Sequence, residues 1–254
     1  MKIMRAEYRN SVSYCVLDDK IVKFIKGEPF EHIEYTGETA QISDVTVLAP
    51  TTPSKIVAIG KNYHAHAMEM NEGEPVEPLV FLKPSTCVIA DRENIVYPKI
   101  SKRVDYEGEL CVVIGKRCRN VKASDALNYV FGYTCLNDVT ARDIQKSDPQ
   151  WTRGKGFDTF CPIGPCIETQ IDASDLAIST ALNGKTVQAS RTSCMTHNIP
   201  KLIEYISRVM TLLPGDCIAT GTPEGIGSMQ CGDTVSVTIE GIGTLTNFVT
   251  EEMQ

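Results

Sequence analysis

Apolar positions along this chain fall mostly in short runs rich in Val, Ile, Thr and Cys, broken by Gly, Pro, Asn and Asp. That rhythm predicts strands, many buried on both faces, rather than long helices. Lys2–Arg9, Val12–Leu17 and Ile21–Ile25 read as strands, with a turn at Asp18-Asp19 and one more strand over 43–49. Pro50 and Pro53 then close this small β unit. A buried strand is predicted over Lys55–Ile59, turning helical after Gly60, and another over Leu79–Lys83. Arg103–Gly115 reads as one continuous strand, and Tyr129–Leu136 as a second that ends in Asn137-Asp138. Ser124 is placed to cap a helix whose Ala126, Leu127 and Val130 face the core; Asp138 is placed to cap another through Arg142 and Gln145. The Gly- and Pro-rich stretch Trp151–Pro165 reads as a loop. Asn183-Gly184 marks a hairpin, Ile199–Met210 a helix with Pro200 in its first turn, and Gly232–Val249 an alternating hairpin. The organisation expected is a small N-terminal β domain over 1–53 and a main domain over 54–254, mixed α/β and mostly β.

The candidate chemistry centres on Glu107-Gly108-Glu109. Residues two apart on a strand share a face, and two adjacent carboxylates repel unless a cation lies between them. With Asp138 they make a three-carboxylate site suited to a hard divalent ion such as Mg²⁺ or Mn²⁺; the bland reading of Glu-x-Glu is a solvated face. Arg142 and Gln145 share a helical face on the same side as Asp138, an arrangement suited to an anionic, oxygen-rich ligand. His66 and Glu69, three apart on a helix, can hydrogen-bond. A carboxylate on one imidazole nitrogen makes the other a better base, although most such pairs are surface ion pairs. A helical turn would point His64 and His66 apart, which disfavours a metal pair there. Lys83 ends a strand and either meets an anion or reaches to water. Lys155 lies between glycines, with its head aimed at a ligand or at solvent. Thr222, in a glycine loop, has a hydroxyl to offer a carboxylate. The polar stretch 71–78 after His66 and Glu69 reads as a lid. No Gly-x-x-x-x-Gly-Lys-Ser/Thr motif is present.

Composition narrows the class. With 254 residues, 42% hydrophobic and 22% charged, the chain has the balance of a soluble globular protein. A net charge of −7 argues against nucleic acid or an anionic membrane as a partner. No apolar run is long enough to span a bilayer, the start lacks a signal core, and a cytoplasmic location is expected. Ten cysteines include no Cys-x-x-Cys pair, which favours free thiols in a reducing compartment.

Together these motifs resemble the fumarylacetoacetate hydrolase family, in its short acylpyruvase-like and 2-hydroxyhepta-2,4-diene-1,7-dioate isomerase-like branch. The matching stretches are Gly60-Lys-Asn-Tyr-His-Ala-His66-Ala-Met-Glu69, Phe81-Leu-Lys83-Pro, Asp105-Tyr-Glu107-Gly-Glu109-Leu, Asn137-Asp138-Val-Thr-Ala-Arg142-Asp-Ile-Gln145, Gly154-Lys155-Gly-Phe-Asp, and Thr220-Gly-Thr222-Pro-Glu-Gly. The resemblance implies a β-sandwich roll with the small N-terminal β domain attached, a homodimer, and Mg²⁺ or Mn²⁺ on Glu107, Glu109 and Asp138. It implies His66, Glu69 and Lys155 as catalytic residues and Tyr63, Lys83, Arg142, Gln145 and Thr222 as substrate-binding. Larger members carry a further Asp ligand where this chain has Asn62, which favours the short branch. A 2-keto acid offers such an ion its carboxylate and keto oxygen, and a Lewis acid favours an enolate when a bond at C3 breaks. The activity this suggests is hydrolysis of a C–C bond in an acylpyruvate such as fumarylpyruvate or acetylpyruvate. Oxaloacetate decarboxylation or keto–enol tautomerisation would use the same enolate. A metal-binding protein without catalysis is the reading from another class; it calls for loss of the lid pair or of a carboxylate, and neither is lost.

Overall fold

The structure, a computed structural model, describes residues 1–69, 73 and 75–252. The part of the expected lid at residues 71, 72 and 74 lies outside the described residues. The chain opens with a meander of β1 (Lys2–Tyr8), β2 (Ser11–Asp18), β3 (Ile21–Ile25) and β4 (Tyr35–Gln41), and β5 (Thr46–Leu48) then pairs with β1. Asn10 and Asp19 make the first two turns in left-handed backbone, at φ 63° and 53°, which their short polar side chains tolerate. β6 (Ile56–Gly60) leads into a short helix α1 (His64–Glu69), followed by β7 (Leu79–Lys83), β8 (Val88–Ile89) and β9 (Asn94–Tyr97).

Arg103–Gly115 is two strands, not one. β10 (Val104–Tyr106) and β11 (Gly108–Ile114) belong to different sheets, with Glu107 at the break. β12 (Val130–Asn137) and β13 (Thr140–Ala141) break in the same way, with Asp138 in the gap. Then come α2 (Arg142–Ser147), α3 (Thr152–Lys155), β14 (Cys161–Glu168), β15 (Ala177–Leu182), β16 (Lys185–Arg191), α4 (Ile199–Val209), β17 (Cys217–Ala219), β18 (Gly227–Met229), β19 (Thr234–Ile239) and β20 (Gly243–Glu251).

A large mixed sheet runs in the order β4-β3-β2-β1-β14-β12-β11-β17-β6-β7, and the N-terminal meander extends it through the β1–β14 pairing of Ile3 with Ile167. A five-stranded sheet, β16-β15-β19-β20-β9, faces it, and a three-stranded one, β13-β10-β18, sits at the corner. β11 shows why both faces are apolar. Leu110, Val112 and Ile114 point into a core shared with α4, β15 and β19. Cys111 and Val113 point into another shared with Ile56, Ala58 and Cys217. Eight of the cysteines are buried and all are free thiols, packed as small hydrophobes.

Three local expectations change. Residues 123–129 form a 3-10 helix preceded by Lys122, with no side-chain cap from Ser124. Side chains three apart eclipse in that geometry, so Ala126 is buried while Leu127 is 55% exposed. Asp138 caps no helix; Ala141 precedes α2, and the Asp138 carboxylate is used elsewhere. Part of the expected loop 151–165 is helix α3 and strand β14. β14 accommodates Pro165 because its register against β12 shifts between Tyr133 and Cys135.

Helix α4 buries Leu202, Ile203 and Ile206 completely against the first core. Leu202→Ala should lower the unfolding free energy by about 3 kcal/mol, measured by urea denaturation. Val209→Ala, 65% exposed on the same helix, should change it by less than about 0.5 kcal/mol.

Candidate active site

The two strand breaks face each other. β11 pairs with β12 from Gly108↔Asn137 onward, and β10 pairs with β13 through Asp105↔Thr140. Across the gap the Asp138 N–H donates to the Glu107 carbonyl at 2.8 Å, and the Glu107 N–H to Asn137 Oδ1 at 2.9 Å. The backbone is thereby fixed where both strands leave one sheet for another. Gly108 is required there: a Cβ would lie 2.1 Å from Thr180 Oγ1. Gly108 is also closely covered, its N–H donating to Gln188 Oε1 at 3.0 Å.

Glu107, Glu109 and Asp138 are all buried, and one carboxylate oxygen from each lies within 4.8 Å of the other two. Two lysines and an arginine converge on them. Lys155 Nζ donates to Glu107 Oε2 at 2.7 Å and to Asp138 Oδ2 at 2.5 Å. Lys83 Nζ donates to Asp138 Oδ1 at 2.5 Å and to the Lys155 carbonyl at 2.5 Å. Arg142 bridges Glu107 and Asp105, the latter at 2.8 Å, and reaches Gln145 Oε1 at 3.4 Å. Burial would raise the pKa of Glu107, but Lys155, Arg142 and His66 override it and hold the carboxyl far below its usual range. Burial opposes the Lys83 charge, and Asp138 outweighs it, so that ammonium titrates above its ordinary value.

Glu109 is the exception. Among the described residues it accepts from the Gly221 N–H at 2.8 Å and forms no ion pair, and the charge of Lys155 offsets its burial only in part. Burial, then Asp138 and Glu107, push its carboxyl well above the ordinary carboxylate pKa. A divalent ion fits this arrangement: three oxygen donors in reach of one centre, one of them an uncompensated buried acid.

A small cavity opens over the acids, lined by Ile59, Gly60, Lys61, His66, Phe81, Arg142, Gln145, Trp151, Lys155 and Thr222 besides the three carboxylates. His66, on α1, is 5% exposed and its Nδ1 lies 3.2 Å from Glu69 Oε2. Glu69 in turn accepts from the Gly225 N–H at 3.1 Å, which ties α1 to the glycine loop after Thr222. Gly225 at φ +94° has no room for a Cβ, which would lie 2.3 Å from the Val187 carbonyl.

The structure thus brings His66, Lys155, Arg142, Gln145 and Thr222 together around the three acids. Tyr63 and Lys83, expected to bind substrate, do not line the cavity. Tyr63 is 1% exposed, and Lys83 is spent holding Asp138 and the Lys155 backbone. The Thr222 hydroxyl donates to the Gly108 carbonyl at 2.9 Å, rather than to a carboxylate, and accepts from Gln188 at 2.9 Å. Asn62 does not face the acids as a ligand would. Its amide donates to the His197 and Thr220 carbonyls and accepts from the His197 N–H. Gly60, Lys61 and Phe81 lie in stretches that match the family but were given no role there, and Trp151 lies in none; folding brings all four to the cavity.

The chain matches the family model described as fumarylacetoacetate hydrolase C-terminal over residues 55–250, and one described as Rv2993c-like, N-terminal, over residues 1–50. The structure of 5-carboxymethyl-2-hydroxymuconate delta-isomerase from Mycobacterium smegmatis is 46% identical, covers 99% of this chain and 100% of that one, and superposes with a TM-score of 0.94. Oxaloacetate tautomerase FAHD2A, mitochondrial, of Bos taurus is 43% identical over 82% of this chain and 70% of its own length. Fumarylpyruvate hydrolase from Pseudomonas aeruginosa, in complex with Mn²⁺ and pyruvate, is 33% identical over 82% of this chain and 92% of that one, with a TM-score of 0.75. Among the described residues, no helix is long and apolar enough to cross a membrane.

Replacing Glu109 by Gln tests the uncompensated acid. In chelator-treated protein at pH 7.5, Glu109→Gln should raise Tm by about 3 °C, on the order of 1 kcal/mol, and should abolish the stabilisation that Mn²⁺ gives the wild type. A carboxyl whose pKa folding raises costs stability above its unfolded value. The advantage of Glu109→Gln should therefore shrink as pH falls toward the ordinary value of 4.5.

Proposed function

Because this chain belongs to the fumarylacetoacetate hydrolase family, we propose that it hydrolyses the C–C bond of an acylpyruvate, releasing pyruvate and a carboxylic acid. The observation that carries this reading is the His66–Glu69 pair set against the cavity of the three acids. A divalent ion on Glu107, Glu109 and Asp138, Mg²⁺ or Mn²⁺, supplies the Lewis-acid stabilisation that an enolate needs.

The side chains of the chain do the rest. Glu69 accepts from the His66 Nδ1–H, which leaves Nε2 as the base. His66 Nε2 takes a proton from water as the hydroxide oxygen attacks the acyl carbonyl. The bond between that carbon and C3 of the pyruvyl part breaks, and its electron pair passes to the pyruvate enolate. The proton held on His66 returns to C3, so water is consumed and no other co-reactant is needed. Lys155 and Arg142 hold the pyruvyl carboxylate by charge-assisted hydrogen bonds. They can do so because Glu107 and Asp138 keep both cations at the cavity floor. Thr222 acts at one remove, fixing the Gly108 carbonyl between the two glutamates.

A second reading is favoured by the likeness to the bovine oxaloacetate tautomerase. Proton movement between C3 and the keto oxygen of oxaloacetate needs a base but no attacking water. Decarboxylation of oxaloacetate uses the same enolate.

Purified protein with Mg²⁺ is offered acetylpyruvate, fumarylpyruvate and oxaloacetate, and enol absorbance, pyruvate and CO₂ are followed. Pyruvate with the free acid is the expected result from a diketo acid. Activity on oxaloacetate alone would replace hydrolysis with decarboxylation if CO₂ appears, or with tautomerisation if only the enol signal changes. His66→Ala should lower pyruvate release by about 10²- to 10⁴-fold while the Mn²⁺-induced rise in Tm persists. Turnover unchanged by that substitution would remove His66 as the base.

A further inference from the structure

The cavity has two ends of different character. At its floor, Arg142 and Lys155 direct their charges at Glu107 and Asp138. At its rim, Gly60, Lys61, Phe81 and Trp151 are partly exposed. Trp151 meets Phe81 edge-on with ring centroids 5.2 Å apart, and it packs on Gly60 so closely that a Cβ there would come within 2.5 Å of the indole. The indole is thus held from two sides. Lys61 sets its ammonium 5.9 Å from the centroid of that ring, a cation–π distance. Its backbone is left-handed at φ 56°, a conformation unfavourable for an L side chain and free for glycine. Partial burial also lowers the pKa of Lys61, the cost of drawing a charge part of the way out of water.

We propose that Lys61, seated on Trp151, is a specificity-determining residue that receives the second carboxylate of a dicarboxylic 2-keto acid. The inference rests on the reading of the cavity floor as a 2-keto acid site and holds whichever reaction follows there. A substrate anchored at the floor by its keto-acid end extends toward the rim. A terminal carboxylate meets the Lys61 ammonium there, whereas a terminal methyl meets only the aromatic wall. The rim therefore selects by charge at a point remote from the bond that breaks.

Calorimetry with Mn²⁺ present compares 2-oxoglutarate with 2-oxopentanoate, which have equal carbon chains and differ in a terminal carboxylate or methyl. The wild type should prefer 2-oxoglutarate by about tenfold, the effect of one partly screened ion pair. Lys61→Met keeps a long side chain on the same left-handed backbone and should lose most of that preference; Lys61→Arg should keep it. On wild-type protein alone, the preference should shrink as KCl is raised from about 0.05 to about 0.5 M, a readout independent of any variant's folding. No preference in the wild type, a preference untouched by Lys61→Met, or one untouched by salt overturns the assignment and leaves the 2-keto acid site standing. Failure of the wild type to bind either acid overturns both.

Discussion

Everything functional in this molecule depends on holding four acids inside the protein. Asp105, Glu107, Glu109 and Asp138 are each at most 5% exposed; Lys83, Arg142 and Lys155, which face them, are no more open, and the half-exposed Arg103 closes on Asp105. Taking such charges out of water is costly unless each finds a partner at short range. Three of the acids do. The fourth, Glu109, has a backbone N–H and two like-charged neighbours and makes no ion pair of its own. A cation placed among Glu107, Glu109 and Asp138 would offset the burial of Glu109.

The sheets meet that demand through one topological device. Two paired strands cross from the large sheet to the three-stranded one at the same level, and the crossing residues are Glu107 and Asp138. At a crossing the ladder opens, side chains are no longer forced to alternate between two packed cores, and a cavity can form. Immediately on either side the chain returns to close packing, with Leu110 and Cys111 fully buried in opposite cores. The acids are therefore held by rigid strands, while the base, His66, arrives on the short helix α1. That helix is anchored by the Glu69 contact with the Gly225 N–H. A rigid floor and a separately attached base suit a site that must admit a substrate and then exclude water around it.

The hydrophobic rhythm carried most of the fold into view. The N-terminal meander, the Asn183-Gly184 hairpin, helix 199–209 and the final hairpin are local in origin: turn chemistry, capping and period-two alternation act over a few residues. The Glu-x-Glu pair, Asp138 and the His66–Glu69 spacing were legible for the same reason, because residue type and separation already restrict their chemistry. The 3-10 helix at 123–129 and strand β14 depart from the local pattern because tertiary packing, with β12 and β1 pairing in the case of β14, overrides what Pro, Gly and Ser suggest locally.

What the sequence determined by itself is therefore the inventory: mostly β structure, an acidic triad with the cations to face it, and a histidine with its carboxylate. Only the tertiary structure decided how these are spent. Glu107 and Glu109 come together across a strand break rather than along one pleat, because two sheets claim the residues on either side. Lys83 is consumed in orienting Asp138, and Thr222 in bracing Gly108, because burial obliges every polar group to find a partner. Lys61 and Trp151 become the rim of the cavity because Gly60 lets the indole pack against its backbone. Those assignments depend on contacts between residues far apart in the chain, and no local pattern encodes them.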